Sequence, residues 1–194
     1  PTFWNASDGQ RYWGVAKNLV ENGSFSIGSL AGESLMRGGP VPAIVFALPI
    51  RLFNFDAASK WIVGIQCTLL FLLGVFAREL CVPYGANKDL LQGLLIFNPN
   101  LISLAHHAQS DLLFTFLFTI SLVLTMRMLL QPISQKLTVC VLLGIILGLL
   151  PLTRPLGFYY VLFLFGYLGV VMTMGGLADS RTIRDNFIKL SIII

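Results

Sequence analysis

In a chain of 194 residues with 11% charge, two aspartates stand where helical stretches begin. Asp8 lies in Asn5-Ala-Ser-Asp-Gly-Gln-Arg-Tyr-Trp13, at the head of an amphipathic stretch. Asp111 lies in His106-His-Ala-Gln-Ser-Asp-Leu-Leu-Phe114, at the head of a long apolar run. An acid at the mouth of a membrane segment is costly to keep and is a functional-site hypothesis by default. A carboxylate there can act as general base on an incoming nucleophile. It can also hold a divalent metal, and Asp8 is the candidate for either role. Arg154, in Gly148-Leu-Leu-Pro-Leu-Thr-Arg154, supplies the complementary charge. An arginine can neutralise a phosphate that leaves as an anion. A lipid-phosphate sugar donor would use both kinds of group, with its tail in the bilayer, its phosphate at the mouth and its sugar projecting outward. Arg37 and Lys17 are further cations able to touch phosphate. His107 is expected to line the cavity, and Tyr12 joins it among the substrate-binding candidates.

Each of these residues has a plainer role open to it. Asp8 can simply cap a helix, at about 1 kcal/mol. Asp111 can cap its own helix or pair with a neighbour. Arg154 can snorkel to an interface. His106 and His107 are adjacent, so they point to different helix faces and do not make a two-histidine metal site. Asn5-Ala-Ser7 and Asn22-Gly-Ser24 fit the glycosylation acceptor pattern, which has meaning only in a secretory-pathway host.

The elements that must position these residues follow from composition. The chain is 56% hydrophobic with mean hydropathy +0.80. A soluble domain carries roughly 25% charge. The long uncharged runs predict an all-α, polytopic helical membrane protein. The net charge of +4 is small and fits loop lysines and arginines rather than a nucleic-acid partner. Three cysteines make no disulfide framework. Cys67 and Cys140 fall in apolar runs, and Cys81 is expected in a short loop. The chain starts at Pro1 and ends in Leu190-Ser-Ile-Ile-Ile194, the opening of another apolar run, so further segments are expected on both sides.

Residues 1–55 read as an outer loop with amphipathic interfacial helices. Tyr12, Val15, Ala16, Leu19 and Val20 form one apolar face at helical spacing, and Asn22-Gly23 ends it. Trp4, Tyr12 and Trp13 suit a membrane interface. Residues 40–55 are apolar but short, with Pro40, Pro42 and Pro49, and fit either a broken crossing or a second interfacial helix. Residues 56–194 read as a transmembrane domain of about five crossings plus the start of another. The expected segments are Trp61–Ala77, Leu90–Ser110 with a break at Asn98-Pro99-Asn100, Leu112–Leu130, Leu137–Leu152 and Pro155–Leu177. A sixth opens near Phe187.

The loop carrying Arg181, Arg184 and Lys189 should be cytoplasmic by the positive-inside rule. Counting back puts Arg154 and Asp111 outside. If residues 40–55 do not cross, Asp8 is outside with them. If they do cross, Asp8 is on the opposite face.

The chain also resembles a known family. The residues that carry the resemblance are Asp8…Tyr12-Trp13…Asn22-Gly-Ser-Phe25, Arg37-Gly-Gly-Pro-Val-Pro42, Pro99…Gln109-Ser-Asp-Leu-Leu-Phe-Thr-Phe116, and Gly144…Gly148-Leu-Leu-Pro-Leu-Thr-Arg-Pro155. In order and spacing they look like the N-terminal part of a GT-C membrane glycosyltransferase. The nearest branch holds the protein O-mannosyltransferases and the lipid A aminoarabinose transferases. The resemblance implies inverting transfer of a sugar from a polyprenyl-phosphate donor to an acceptor on the outer face, in a bacterial inner membrane. It makes Asp8 the catalytic base and Asp111 a second acid near the donor phosphate. Many members have Asp-Glu where this chain has Asp8-Gly9, so the second acid of that pair is missing here. The family's surface-lying first-loop helices favour keeping residues 40–55 outside. Two other classes fit the composition: a non-catalytic subunit packed in a larger membrane complex, and a transporter. A transporter would place its acids midway through the bilayer, whereas both acids here lie at segment ends.

Overall fold

A computed structural model of the chain describes residues 7–25, 39–81, 87–107, 109–130 and 136–175. Arg37, Trp4, the Arg181–Lys189 loop and the expected segment near Phe187 lie outside them. The described residues form eight α-helices in the order α1 (Ser7–Asn22), α2 (Pro40–Leu52), α3 (Phe55–Cys81), α4 (Lys88–Ile96), α5 (Pro99–Ala105), α6 (Ser110–Leu130), α7 (Lys136–Thr153) and α8 (Leu156–Gly175). The all-helical expectation holds for the described residues.

Local chemistry sets the breaks. Gly23 takes φ +68° after α1, and its N–H donates to the Leu19 carbonyl at 3.1 Å. A left-handed glycine closing the last turn is a common helix ending. Pro40 opens α2, where a missing N–H costs nothing. Asn54 caps α3 by accepting from the Ala57 N–H at 3.0 Å. Asn98 accepts from the N–H groups of Asn100 and Leu101, and Pro99 follows as the first residue of α5. The segment Leu90–Ser110 breaks at Asn98-Pro99 as expected, into two short helices, α4 and α5. A proline without an N–H and a side-chain cap together favour a new start over continuation.

The long α3 is the spine. The α4–α5 path runs back along it: Arg78 pairs with Asp89 at 2.9 Å near the C-terminal end. Leu70 and Leu73 pack on Leu101, Ala105 and Leu112 farther back, and Gln66 meets the turn after α5. Helix α6 runs parallel to α3, with Arg127 reaching Glu79 at 3.1 Å. Helix α7 returns against α6, and α8 turns forward again, where the Ser121 and Tyr160 hydroxyls pair at 2.9 Å. Leu113, Leu117, Leu143, Leu147, Leu150 and Leu164 form the core between α6, α7 and α8.

Helices α1 and α2 pack on the first turns of α3 through Tyr12, Trp13, Ala16, Phe46, Ala47, Ala58 and Ile62. Gly39, just before α2, lies so close to the Leu152 carbonyl that a Cβ there would overlap it. At the other end of α2, Phe53 stacks on Trp61 with ring centroids 5.4 Å apart. Helix α2 thus links the end of α7 to the start of α3, and its 13 residues, about 20 Å long, do not run the length of the bundle.

Some expectations change. Tyr12 and Trp13 are not interface anchors; they are 7% and 8% exposed, walled in by α2 and α3. Cys81 is the last residue of α3 rather than a loop residue, and α3 begins before Trp61, at Phe55. Among the described residues two helices are long and apolar enough to cross a membrane, Asp56–Cys81 and Ser110–Met128. Pro40–Leu52, Leu137–Thr153 and Leu156–Val170 are apolar but shorter.

Candidate functional site

One end of the bundle gathers most of the singled-out residues. Helix α6 begins there with Ser110 and Asp111, and α7 ends there at Thr153, immediately before Arg154. Antiparallel packing of α6 and α7 brings the side chains together: Arg154 Nη1 engages Asp111 Oδ1, each side chain about a third exposed (32% and 33%). Arg154 is held by its turn. Its N–H donates to the Leu150 carbonyl at 3.0 Å, and its own carbonyl accepts from Gly157 N–H at 2.9 Å. Thr153 Oγ1 donates to the Leu149 carbonyl at 2.8 Å. Gly157 matters here, since a Cβ would strike the Leu150–Pro151 backbone and push α8 off the turn.

Tyr12 brings α1 to the same place. Its hydroxyl donates to Ser110 Oγ at 3.0 Å, a buried bond across 98 positions of sequence. Asp8 lies in the first turn of α1, four residues before Tyr12. Lys17 leans toward Glu21 at 3.7 Å, both exposed, and is not drawn into this end. Arg37 lies outside the described residues; Gly39, two positions on, sits against Leu152 and Thr153 beside the arginine turn.

The two histidines part company. His106 lies with Nδ1 2.8 Å from the Ile102 carbonyl and is exposed. His107 is half-buried, and its Nδ1 is shut off from solvent without a partner. The turn they occupy is braced by Gln66 of α3, whose Nε2 donates to the Gln109 carbonyl at 2.8 Å. Gln66 escaped the sequence reading. Its only signal was a lone amide in an otherwise apolar stretch of the uncharged Trp61–Ala77 run. Among the described residues no three His, Cys, Asp or Glu side chains group to hold a metal ion.

The arrangement has a definite chemical character. A guanidinium carries five donors in a planar fork. One of Arg154's nitrogens is occupied by Asp111, and partial exposure leaves the group open to an approaching anion. The hydroxyls of Tyr12 and Ser110 and the amide of Gln66 are buried and bonded within the fold, so the half-exposed pair is the part of this end that faces solvent. No family model matches the chain, and neither a curated protein nor a solved structure matches it.

Proposed function

We propose that the chain is the N-terminal part of a multi-pass membrane glycosyltransferase of the GT-C type that takes its sugar from a polyprenyl-phosphate donor. The observation that carries the reading is the Arg154–Asp111 pair, half-open at the bundle end where α1 packs. Two further features support it. Large apolar side chains face outward on α7 and α8, Leu137, Phe158 and Phe165 among them, as a lipid-facing surface requires. Helix α2 stays at one end of the bundle, which suits an outer loop made of interfacial helices rather than an added crossing.

In this reading α3, the broken α4–α5 path, α6, α7 and α8 cross the bilayer of a bacterial inner membrane. Arg154 meets the donor phosphate at the outer face, with Asp111 orienting its fork. Asp8 removes the proton from the acceptor hydroxyl. The acceptor oxygen then bonds to the anomeric carbon from the face opposite the phosphate. The carbon–oxygen bond to phosphate breaks, its electron pair leaves on the phosphate, and the configuration inverts. Asp8 is also the carboxylate that a divalent ion would use, should the reaction need one.

The test is turnover of a labelled polyprenyl-phosphate sugar by the full-length protein in membranes, with Asp8→Asn beside it. Loss of a positioned general base costs about a hundredfold or more. Such a drop at normal protein levels is the expected result. Full turnover by Asp8→Asn would remove Asp8 from the chemistry. A parent inactive on every donor sugar tried would favour the non-catalytic membrane subunit, in which Arg154–Asp111 is only a strut between α6 and α7.

A further inference from the structure

Helix α2 is apolar on two opposite faces. One face, with Ala43, Phe46 and Ala47, is buried. Phe46 and Ala47 belong to one cluster with Tyr12, Trp13 and Ala16 of α1 and Ala58 and Ile62 of α3. The other face carries Ile44, Leu48 and Leu52, each more than half exposed. Their four-residue spacing puts them in one row. Arg51, seven residues after Ile44 and three after Leu48, is exposed and ends the same row. A helix that is hydrophobic all round needs an apolar neighbour on every side. With 13 residues α2 is too short to supply a crossing, which takes about 20.

The row runs into an exposed aromatic stack. The Phe53 and Trp61 rings lie 5.4 Å apart with their planes 14° from parallel, and both are exposed. Lys60, next to Trp61 in sequence, is exposed too. Trp61 opens the outward stripe of α3, and Gly64, Thr68 and Phe71 follow it at helical spacing, all exposed. The Thr68 hydroxyl donates to the Gly64 carbonyl at 2.8 Å, so it needs no water. A tryptophan and a lysine at the end of such a stripe stand where hydrocarbon meets headgroups. Helix α2 packs on the first turns of α3 and so lies at that depth. The charged residues from Gly39 to Gly64 are Arg51, Asp56 and Lys60. Asp56 is exposed in the first turn of α3, and among the described residues none of the three has an ion-pair partner. Arg78 and Arg127, at the far end of α3 and α6, are both paired.

We propose that this face binds an anionic phospholipid. An acyl chain lies along Ile44, Leu48 and Leu52, the Phe53–Trp61 stack stands at the glycerol level, and Arg51 and Lys60 meet the headgroup phosphate. A guanidinium fork takes a phosphate in two parallel hydrogen bonds. The apolar row beside the cations selects a lipid over free phosphate. This lipid site rests on the membrane part of the reading above and not on sugar transfer.

Trp61 is the reporter. The full-length protein is reconstituted into phosphatidylcholine vesicles holding a varied share of brominated phosphatidylglycerol or, in parallel, of brominated phosphatidylcholine. Bromine quenches only indoles in contact with the lipid, and the emission missing from Trp61→Phe isolates the signal of Trp61. One cation at an anionic surface contributes about fivefold in affinity. The quenching curves should therefore show phosphatidylglycerol favoured at Trp61 by about fivefold or more. The preference should vanish in the double variant Arg51→Gln, Lys60→Gln and persist in Arg51→Lys, Lys60→Arg, which keeps both charges. Equal quenching by the two lipids in the parent overturns the proposal whether or not the variants fold. A preference that survives in the folded double glutamine variant overturns it too. A Trp61 shielded from both lipids does the same and puts a protein partner on this face. A protein that alkaline washing strips from the vesicles refutes the membrane reading itself. Selective quenching without sugar turnover upholds the lipid site and refutes the transferase reading.

Discussion

The Arg154–Asp111 pair can be a phosphate-facing device or a strut, and the two differ in how much activity a substitution removes. Each side chain is about a third exposed, so water screens the pair. Two unit charges at contact gain about 4 kcal/mol at an effective dielectric of 20, before desolvation and side-chain ordering are subtracted. Measured couplings for exposed pairs are about 0.2–1 kcal/mol, so about 1 kcal/mol is a fair expectation for this one. Asp111→Asn or Arg154→Gln would then shift the folded-to-unfolded ratio about fivefold. A protein with about 5 kcal/mol of stability stays about 99.9% folded after that loss. Stability alone therefore takes away only about 0.1% of turnover. Removing an arginine that meets charge developing on a leaving phosphate costs about a hundredfold, or about 2.7 kcal/mol of barrier. The decisive variant exchanges the partners, Asp111→Arg with Arg154→Asp. Thermal unfolding in detergent should show the exchange recovering part of the lost stability. Turnover of the lipid-phosphate sugar in proteoliposomes should stay down by about a hundredfold, because the cation has moved to the other helix. Recovery of both stability and turnover would refute the reasoning, since it would mean that only the connection between α6 and α7 matters.

Tyr12→Phe should cost about 1 kcal/mol, the net worth of one buried hydrogen bond left with Ser110 as an unpaired partner. A small drop in the unfolding midpoint with turnover within tenfold of the parent is expected; a hundredfold loss would give the hydroxyl a direct part in the reaction. Gly39→Ala should cost about 1–3 kcal/mol, because the added Cβ overlaps the Leu152 carbonyl and backbone must move. Its turnover should fall further than that of Gly23→Ala, whose strain at φ +68° lies at the far end of α1 with open space around it. Equal losses in the two would show that the approach of α2 to the arginine turn is unimportant.

Parts of this architecture are legible in the sequence because short-range chemistry decides them. The stripe from Tyr12 to Val20 and the Asn22-Gly23 stop mark α1, and Asn98-Pro99 marks a break, through a cap and a missing N–H. The depth of Tyr12 and Trp13 is not legible. An amphipathic aromatic at a bilayer surface and one clamped beneath another helix make the same pattern, and only the return of α2 through Phe46 and Ala47 separates them. The meeting of Asp111 with Arg154 follows once α6 and α7 are taken as consecutive antiparallel segments. The importance of Gln66 does not. A single uncharged amide looks like tolerance in an apolar helix until the turn 41 and 43 positions later docks its carbonyls on it.

The two ends of the bundle answer different demands. At one end Arg78 is shared between Asp89 and Gln92, and Arg127 meets Glu79, so both arginines have their partners in a neighbouring helix. Those pairs tie α3 to α4 and to α6. The other end departs from that economy. It holds a half-open ion pair, a buried hydroxyl bond to the first helix, and two closed-off polar atoms on Gln66 and His107 that the fold leaves unpaired. Folds that satisfy local rules elsewhere tend to break them where they work on a ligand. On the proposed reading, a half-open ion pair at the one end where α1, α6 and α7 converge is what a phosphate site would require, and it is why substitutions at Arg154 and Asp111 should register in turnover before they register in stability.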